Sequence, residues 1–147
     1  MKLRVIAAGK PALAYAKLGI EEYLKRLDRL GGCELVIVKA GSSEEVSARL
    51  LERSEGSYRI ALDERGAAWN TRHFATKLDE LALRGDVKTV SFLIGAADGH
   101  SPTLRQAADQ VLCLSALTMQ HELALLVLLE QLYRLASLKA GLPYHRD

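Results

Sequence analysis

The sequence predicts an α/β domain in which a mostly parallel β-sheet is flanked by helices, and it assigns residues 1–147 to a single domain. Short apolar or β-branched runs alternate with segments of helical periodicity along the whole chain, which is typical of parallel βαβ units. The chain is 49% hydrophobic, which is enough for one core. No internal repeat, linker or low-complexity segment divides it, so a second domain is not expected.

Strands and helices are expected in strict alternation. Each expected strand is a short run of apolar and β-branched residues bounded by turn-forming residues. Each expected helix repeats its apolar residues at intervals of three and four. The strands are predicted at 3–8, 34–38, 58–62, 87–94 and 111–114. The helices are predicted at 12–30, at 42–54, from 71, from 101 and from about 119 to 140.

Local signals mark where several helices begin. Ser42 and Glu45 have the spacing of a capping box, in which each side chain accepts a hydrogen bond from the other residue's backbone N–H. Ser101-Pro102 combines a serine cap with a proline at the first helical position, where the missing N–H costs nothing. Thr71 is expected to cap the third helix.

The last helix predicts a protein partner. Residues 123–129 are apolar on all sides of the helix. A helix without a polar face is buried on more than one side. The sheet can cover one side, and a second copy of the chain is the simplest cover for the other. We therefore expect a homodimer that forms through this helix.

The composition excludes several classes of protein. The chain has 20 basic and 18 acidic residues, a balance that neither indicates nor excludes nucleic-acid binding. Cys33 and Cys113 form no CxxC pair, so buried free thiols in a reducing cytoplasm are expected rather than a metal site. The N-terminus is too short and too charged for a signal peptide, and no apolar run approaches the ~20 residues that a bilayer requires. We expect a cytoplasmic protein with neither a metal nor a membrane partner.

Two loops of small and polar residues follow the last two strands: GAADG (95–99) and SALTMQH (115–121). In a parallel sheet both lie beyond the carboxyl ends of the strands, where ligands bind. Neither loop has the GxGxxG dinucleotide fingerprint or the P-loop lysine. The first loop is either a tight turn that needs left-handed glycines or a backbone surface for a nucleoside-type ligand. The second is either an ordinary connection or a main-chain site for adenine, with Leu117 and Met119 as its apolar wall.

Histidines and the C-terminal tail supply the candidate reactive groups. His121 is interpreted either as structural or as a catalytic group at the mouth of the crevice. His145 and Arg146 form either a frayed terminus or a mobile basic clamp. His100 is expected to fix the glycine loop, and Asp98 is an alternative base. The sequence contains no convincing Ser–His–Asp or zinc-ligand spacing.

A series of segments runs through nearly the whole chain in a specific order. They are MKLRVIAAGK, EEYLKRL, YRIALDERG, FLIGAADG, LSALTMQH, LLEQLYRLA and PYHRD. In their order, and in the terminal Tyr-His-Arg, they resemble the RlmH family of ribosomal RNA methyltransferases, which belongs to the SPOUT superfamily. No single segment would be specific alone.

The resemblance implies a SPOUT-like fold with a C-terminal trefoil knot, a homodimer with each site at the subunit interface, and S-adenosylmethionine as cofactor. The expected reaction is methyl transfer to N3 of a pseudouridine in the 23S ribosomal RNA of the assembled ribosome. The implied cofactor-binding residues are Leu62, Gly95, Ala96, Leu114, Ser115, Ala116, Leu117, Thr118 and Met119. The implied RNA-binding residues are Tyr144, His145 and Arg146, and the implied catalytic residues are His121, His145 and Arg146.

This chain departs from the resembled pattern at three places. Its glycine loop reads GAADG where the family often has GGPEG, and Gln120 replaces a common proline. Leu125 replaces a common arginine, which removes a phosphate or transition-state contact unless Arg134 or Arg146 compensates. The alternative function is therefore a non-catalytic dimeric module that binds S-adenosylmethionine and the ribosome. A third is a nucleotide-dependent enzyme of ordinary doubly wound fold.

Overall fold

Strands and helices alternate along the chain in the computed structural model, which describes residues 1–146. The strands are β1 (Lys2–Ala8), β2 (Glu34–Val38), β3 (Tyr58–Ala68), β4 (Thr89–Ile94) and β5 (Gln110–Cys113). The helices are α1 (Ala14–Asp28), α2 (Ser43–Arg53), α3 (Thr71–Arg84), α4 (Pro102–Ala107) and α5 (His121–Ala140). The predicted alternation is confirmed, and most predicted bounds agree with the structure to within a few residues.

The strands form one sheet in the order β2-β1-β4-β3-β5, and each pairing is parallel. The predicted α/β class is confirmed, and the sheet is parallel throughout. This order places β3 between β4 and β5, although β3 precedes both in sequence. The loops that follow β4 and β5 therefore lie at the same edge of the sheet, on either side of β3.

Helices cover both faces of the sheet, and alternate residues of the central strands point to opposite sides. Val5 and Phe92 belong to the core beneath α1, α3 and α5. Their neighbours Ile6 and Leu93 belong to a smaller core beneath α2 and α4. Both faces of β1 and β4 are thus buried, which explains why these strands are apolar in continuous runs instead of alternating.

The predicted end of β3 at Leu62 is wrong. The strand continues to Ala68, and the residues predicted as a polar loop form a wide bulge within it. Leu62 pairs with Leu112, and Ala67 pairs with the same residue after the bulge. The neighbouring strand β5 provides partners on both sides of the interruption, so pairing resumes. Polarity alone could not reveal this partner.

The cap of α3 is also misassigned by the sequence. Asn70, not Thr71, is the capping residue, because its Oδ1 accepts a hydrogen bond from His73 N at 2.8 Å. The Thr71 hydroxyl instead donates to Gln131 Oε1 of α5 at 2.9 Å. An N-cap accepts from the backbone two or three positions later, and Asn70 has that spacing here.

The two other predicted helix caps are confirmed. Ser42 and Glu45 form the reciprocal capping box at 3.2 and 3.1 Å. Ser101 Oγ accepts from Leu104 N at 3.2 Å, with Pro102 beginning α4. Within residues 1–146, no helix combines the length and the apolar character needed to cross a bilayer.

Both cysteines are free thiols, as predicted, but only one is fully buried. Cys113 lies in the core, whereas Cys33 is half-buried at the start of β2. Burial of the Cys33 thiol and the nearby Glu34 carboxylate raise its pKa to about 12. The thiolate of Cys33 is therefore disfavoured, which agrees with an unreactive role.

Candidate functional site

A cavity of about 500 Å³ opens beyond the carboxyl ends of β4 and β5 and beside the bulge of β3. Small-molecule sites usually enclose roughly 300–1,000 Å³, so this pocket can hold a nucleoside-sized ligand. The segments around Gly95 and Leu117, which the sequence predicts to be adjacent, both line it. The pocket exists because the sheet order brings the bulge of β3 together with the loops after β4 and β5.

Most of the predicted cofactor residues line this pocket. They are Leu62, Gly95, Ala96, Leu114, Ser115, Leu117, Thr118 and Met119. Ala116 is exposed and lies outside the lining. His121 and Asp98 also line the pocket, but the tail residues Tyr144, His145 and Arg146 do not. The structure therefore divides the predicted site between two places.

The loop between β5 and α5 faces the pocket with main chain and small side chains. The Cys113 thiol donates to Ser115 O, and Leu117 N donates to Ser115 Oγ, each at 3.0 Å. These bonds fix the first turn of the loop. Leu117 is 79% exposed at the pocket. It can pack against a planar ring and gain burial by doing so.

The glycine loop after β4 supports parts of both interpretations. Gly99 has φ +78°, which favours glycine, and its N–H donates to Ala96 O at 2.9 Å, so this position is a tight turn. Ser43 Oγ holds the turn by donating to Gly99 O at 2.9 Å. Gly95 is needed for a different reason, because an ideal Cβ there would lie only 3.1 Å from His100 Nδ1. The two glycines therefore have separate roles.

The bulge in β3 supplies pocket residues that the sequence did not assign. Asp63, Glu64 and Arg65 line the pocket together with the two loops. Asp63 accepts from Arg65 N at 2.9 Å, and its side chain is only 5% exposed. Glu64 contacts Thr118 Oγ1 at 3.4 Å and so connects the bulge to the second loop. The sequence signal that could have assigned these residues to the pocket is a polar segment directly after a buried run of β3, at the edge where the other two loops lie.

Gln120 explains one departure from the resembled pattern. Its Oε1 accepts from Glu122 N and Leu123 N at 2.9 and 3.0 Å and caps α5. Its amide nitrogen lies 3.3 Å from His121 Nδ1. Gln120 thus stands where the resembled pattern has proline, and it both caps α5 and contacts His121. The cap fixes the direction in which α5 leaves the pocket.

Glu122 joins the start of α5 to the start of α1. Its Oε1 accepts from Ala12 N and Leu13 N at 2.7 and 3.0 Å. The Leu13 N–H is the main cause of a lowered Glu122 pKa, although burial opposes the shift. The carboxylate therefore ties the backbone that leads into α1 to the start of α5, while the N-cap residue Leu13 makes no side-chain capping bond.

Leu125, at the position of the common arginine, is 2% exposed in the core beneath α1, α3 and α5. This position therefore faces away from solvent in this chain, and no cation of α5 replaces it in the pocket lining. Arg134 is bound to Glu130 at 2.7 Å and contacts the tail, so it is not positioned to act in the pocket of its own chain.

The tail lies against α1 and α5. The hydroxyls of Tyr144 and Tyr23 are 2.9 Å apart, and the Tyr144 ring meets Tyr133 edge-on with centroids 4.7 Å apart. Arg134 donates to His145 Nδ1 at 3.2 Å. Burial and the Tyr23 hydroxyl raise the pKa of Tyr144 to about 12. Arg134, which holds the tail, lies about 20 Å along α5 from His121, which lines the pocket. The tail therefore lies far from the pocket of its own subunit.

His100 has an unsatisfied nitrogen in the pocket wall. The residue is 5% exposed, and Nε2 lies 3.1 Å from Leu93 O. A carbonyl oxygen only accepts, so Nε2 carries the hydrogen and Nδ1 is an acceptor. Among residues 1–146, nothing donates to this buried Nδ1. Burial lowers the pKa of His100 and keeps the ring neutral, against the opposing effect of the Leu93 carbonyl.

This lowered pKa predicts a pH-dependent stability. Below about pH 6.5 the unfolded chain protonates this histidine while the folded chain resists, so acid favours unfolding. The free energy of unfolding should fall more between about pH 7 and pH 5 in the wild type than in His100→Gln, which cannot titrate there. Asp63 and Arg105 act on the ring in opposite directions and are common to both proteins. Urea titrations at each pH measure the slopes, and parallel curves would contradict the prediction.

A parallel sheet with a pocket at its carboxyl edge defines an α/β protein with a candidate ligand site in the position usual for this class. Residues 1–145 match the family model described as "Predicted SPOUT methyltransferase". The "Ribosomal RNA large subunit methyltransferase H" of Thermus thermophilus is 49% identical over 146 residues, covering 99% of each chain. The protein of the same name from Deinococcus radiodurans is 40% identical, again covering 99% of each chain. The chain belongs to the RlmH family of SPOUT methyltransferases.

Solved structures agree at the level of the fold. A methylase family protein from Neisseria gonorrhoeae superposes with a TM-score of 0.63 at 13% identity, covering 99% of this chain and 87% of that one. A methylase family protein from Haemophilus influenzae gives a TM-score of 0.58 at 11% identity, with 99% and 70% covered. At such low identity these similarities concern the arrangement of strands and helices alone.

Proposed function

We propose that this protein transfers a methyl group from S-adenosylmethionine to N3 of a pseudouridine in the 23S ribosomal RNA of the assembled ribosome. It does so in the cytoplasm, as a homodimer with a C-terminal trefoil knot. The observation that carries the proposal is the pocket in which the predicted loops meet, in a chain of the RlmH family. The names of its relatives give ribosomal RNA as their substrate.

The residues present fit the proposed cofactor. The main chain of 114–119 can read the edge of an adenine ring, with Leu117 against its face. Gly95 and Ala96 would leave room for the ribose, and Leu62 also lines the pocket. When bound, S-adenosylmethionine supplies a methyl group on a sulfonium, a cation with a good leaving group. The acidic groups of Asp63 and Glu64 give the surrounding wall a complementary charge.

The remaining work is to position the RNA base and remove its proton. Transfer requires N3 to lie about 3 Å from the methyl carbon and in line with the departing sulfur. A ring N–H becomes a good nucleophile only when its proton is held or removed. His121 lines the pocket and is our candidate for this proton, with His145 and Asp98 as alternatives. Arg146 would hold the RNA phosphate or stabilise the anionic base.

Dimer formation would cover an apolar surface beside the pocket. Leu18 of α1 is 70% exposed and Tyr15 is 52% exposed. The half-buried Leu123 and Val127 of α5 lie nearby, because α1 and α5 approach closely at Gly19, where an ideal Cβ would be 2.7 Å from a Leu126 methyl. Exposed apolar groups on two packed helices favour a second copy of the chain. Sedimentation as a monomer at micromolar concentration would contradict this.

Such a dimer would bring a tail to each pocket from the partner subunit. The tail is anchored about 20 Å along α5 from the pocket of its own chain. A two-fold axis near the apolar face of α1 and α5 reverses one subunit relative to the other. His145 and Arg146 of one subunit then complete the site of the other.

The direct test is methylation of ribosomes that lack the modification. The protein is incubated with assembled ribosomes and S-adenosylmethionine, and the modified nucleoside is identified by mass spectrometry. We expect one methyl group per large subunit, at N3 of pseudouridine, and none when the donor is omitted. Binding of S-adenosylmethionine without transfer would favour the non-catalytic module, and binding of NAD or ATP instead would favour the ordinary doubly wound enzyme.

A further inference from the structure

The geometry points to a new ligand contact: we propose that His100 Nδ1 accepts a hydrogen bond from a ribose hydroxyl of the nucleoside cofactor. This inference rests on the proposed function, because it concerns the ligand of that pocket. His100 was expected only to fix the glycine loop. It does so through Nε2 and Leu93 O, which leaves the other ring nitrogen without a role.

An unpaired acceptor in the interior is costly. Leaving one buried polar group without a partner costs about 1–3 kcal/mol in typical proteins. Polar groups of this kind are therefore satisfied by a ligand or by ordered water. Here the group belongs to a residue that lines the pocket itself, so a ligand is the direct solution.

Gly95 keeps side-chain atoms away from this nitrogen. An ideal Cβ at Gly95 would lie 3.1 Å from His100 Nδ1 and 3.2 Å from Cε1, so a side chain here would crowd the imidazole. Because residue 95 is glycine, the ring packs directly on the backbone of the pocket wall, and no side chain of residue 95 stands between Nδ1 and the pocket.

The chemistry of the pocket floor selects the kind of ligand atom. Asp63, in the bulge of the adjacent strand β3, is also nearly buried, and a carboxylate only accepts hydrogen bonds. Its Oδ1 accepts from Arg65 N at 2.9 Å and its Oδ2 lies 3.5 Å from Arg65 Nη1, and each oxygen keeps a further lone pair. A neutral acceptor without a partner and a charged acceptor together favour a ligand that donates there. A ribose diol donates from two neighbouring hydroxyls.

The position within the sheet favours ribose over the other donors of the cofactor. If the loop after β5 binds the base, the next strands along the sheet are β3, which carries Asp63, and β4, which leads to His100. The sugar is the part of the cofactor attached directly to the base, so it would lie beside these two residues. The amino-acid ammonium lies farther from the base, so it is the competing candidate for the same contact.

Two conservative variants separate a ligand role from a structural role. His100→Asn places an acceptor near the position of Nδ1 but cannot reach Leu93 O. His100→Gln places an amide near the position of Nε2 and leaves no acceptor near Gly95. If His100 contacts the ligand, His100→Asn should keep the affinity for the ligand and His100→Gln should lose it. If His100 only holds Leu93 O, His100→Gln should keep the affinity and His100→Asn should lose it.

Binding is measured by calorimetry with adenosine, 2′-deoxyadenosine and 3′-deoxyadenosine, which need no turnover. We expect His100→Gln to bind adenosine about tenfold more weakly than the wild type, and His100→Asn to recover most of the loss. One of the two deoxynucleosides lacks the hydroxyl that contacts His100, so its affinity for the wild type should be about tenfold lower than that of adenosine. For His100→Gln, which lacks the acceptor, the affinities of this deoxynucleoside and of adenosine should be equal. His73→Gln, on the exposed side of α3, is the matched control and should bind like the wild type.

The outcomes are distinct. Equal losses for the deoxynucleoside in wild type and His100→Gln would overturn the contact, as would unchanged adenosine affinity in His100→Gln. If only S-adenosylhomocysteine, and not adenosine, loses affinity in His100→Gln, the nitrogen binds the ammonium and the ribose assignment is wrong. If the wild type binds none of these ligands, the proposed function fails together with this inference.

Discussion

Mixing two inactive variants should restore methyl transfer to about one quarter of the wild-type rate if each pocket uses the tail of its partner. The first variant, Arg146→Ala, lacks the tail cation but has an intact pocket. The second, Gly95→Val, has an intact tail, but its side chain would fill the space beside His100 and block the ligand. Each alone should lose about 100-fold or more in rate.

The fraction follows from random exchange of subunits. Half of the dimers are then mixed, and each mixed dimer contains one complete site and one site with both defects, which gives about one quarter of the sites. If the tail served its own pocket, no mixed dimer would contain a complete site. Activity that stays at the sum of the two variants would therefore contradict the composite site.

Controls for this experiment address folding and charge. Arg53→Ala removes an exposed cation on α2, on the opposite face of the sheet, and should leave the rate unchanged. Gly95→Val should fail to bind adenosine by calorimetry, while Arg146→Ala should bind it normally. The two subunits carry different tags, so mixed dimers can be purified and counted before ribosomes are added.

Gly66→Ala should have the largest effect on stability, with a loss of about 3 kcal/mol in the free energy of unfolding. An ideal Cβ at Gly66 would lie 2.6 Å from the carbonyl carbon and oxygen of Val111 and 2.7 Å from Leu112 N. These are backbone atoms of β5, so they can yield only if the strands separate. Urea unfolding measures the loss, and a change below about 1 kcal/mol would show that the strands yield easily.

The same substitution should also abolish adenosine binding. Gly66 ends the bulge that carries Asp63, Glu64 and Arg65 into the pocket, so separating β3 from β5 displaces this wall. Gly41→Ala is the matched control, because the atoms nearest to its Cβ would be the side-chain ends of Arg49 and Glu45 at 2.8 and 3.2 Å, and these side-chain ends can move aside. That variant should change neither stability nor binding by a large factor.

The pocket illustrates how far sequence reasoning extends. The loops around Gly95 and Leu117 were identifiable because each follows a buried strand, and carboxyl strand ends share one edge in any parallel sheet. The bulge was misread as a plain loop, because only the neighbouring strand β5 shows that pairing resumes at Ala67. The unsatisfied nitrogen of His100 was equally invisible, since it depends on the orientation of one ring relative to Leu93.

By itself the sequence determined the alternation of strands and helices, the caps at Ser42 and Ser101, and the two loops that carry the family pattern. These features depend on neighbours within a few residues, and local periodicity and hydrogen bonding encode them directly. Only the tertiary structure decided that β3 lies between β4 and β5, that Leu125 is in the core, and that the tail is held beside Tyr23 away from its own pocket. Such features are contacts between residues distant in the chain, and they are fixed by how the whole core packs.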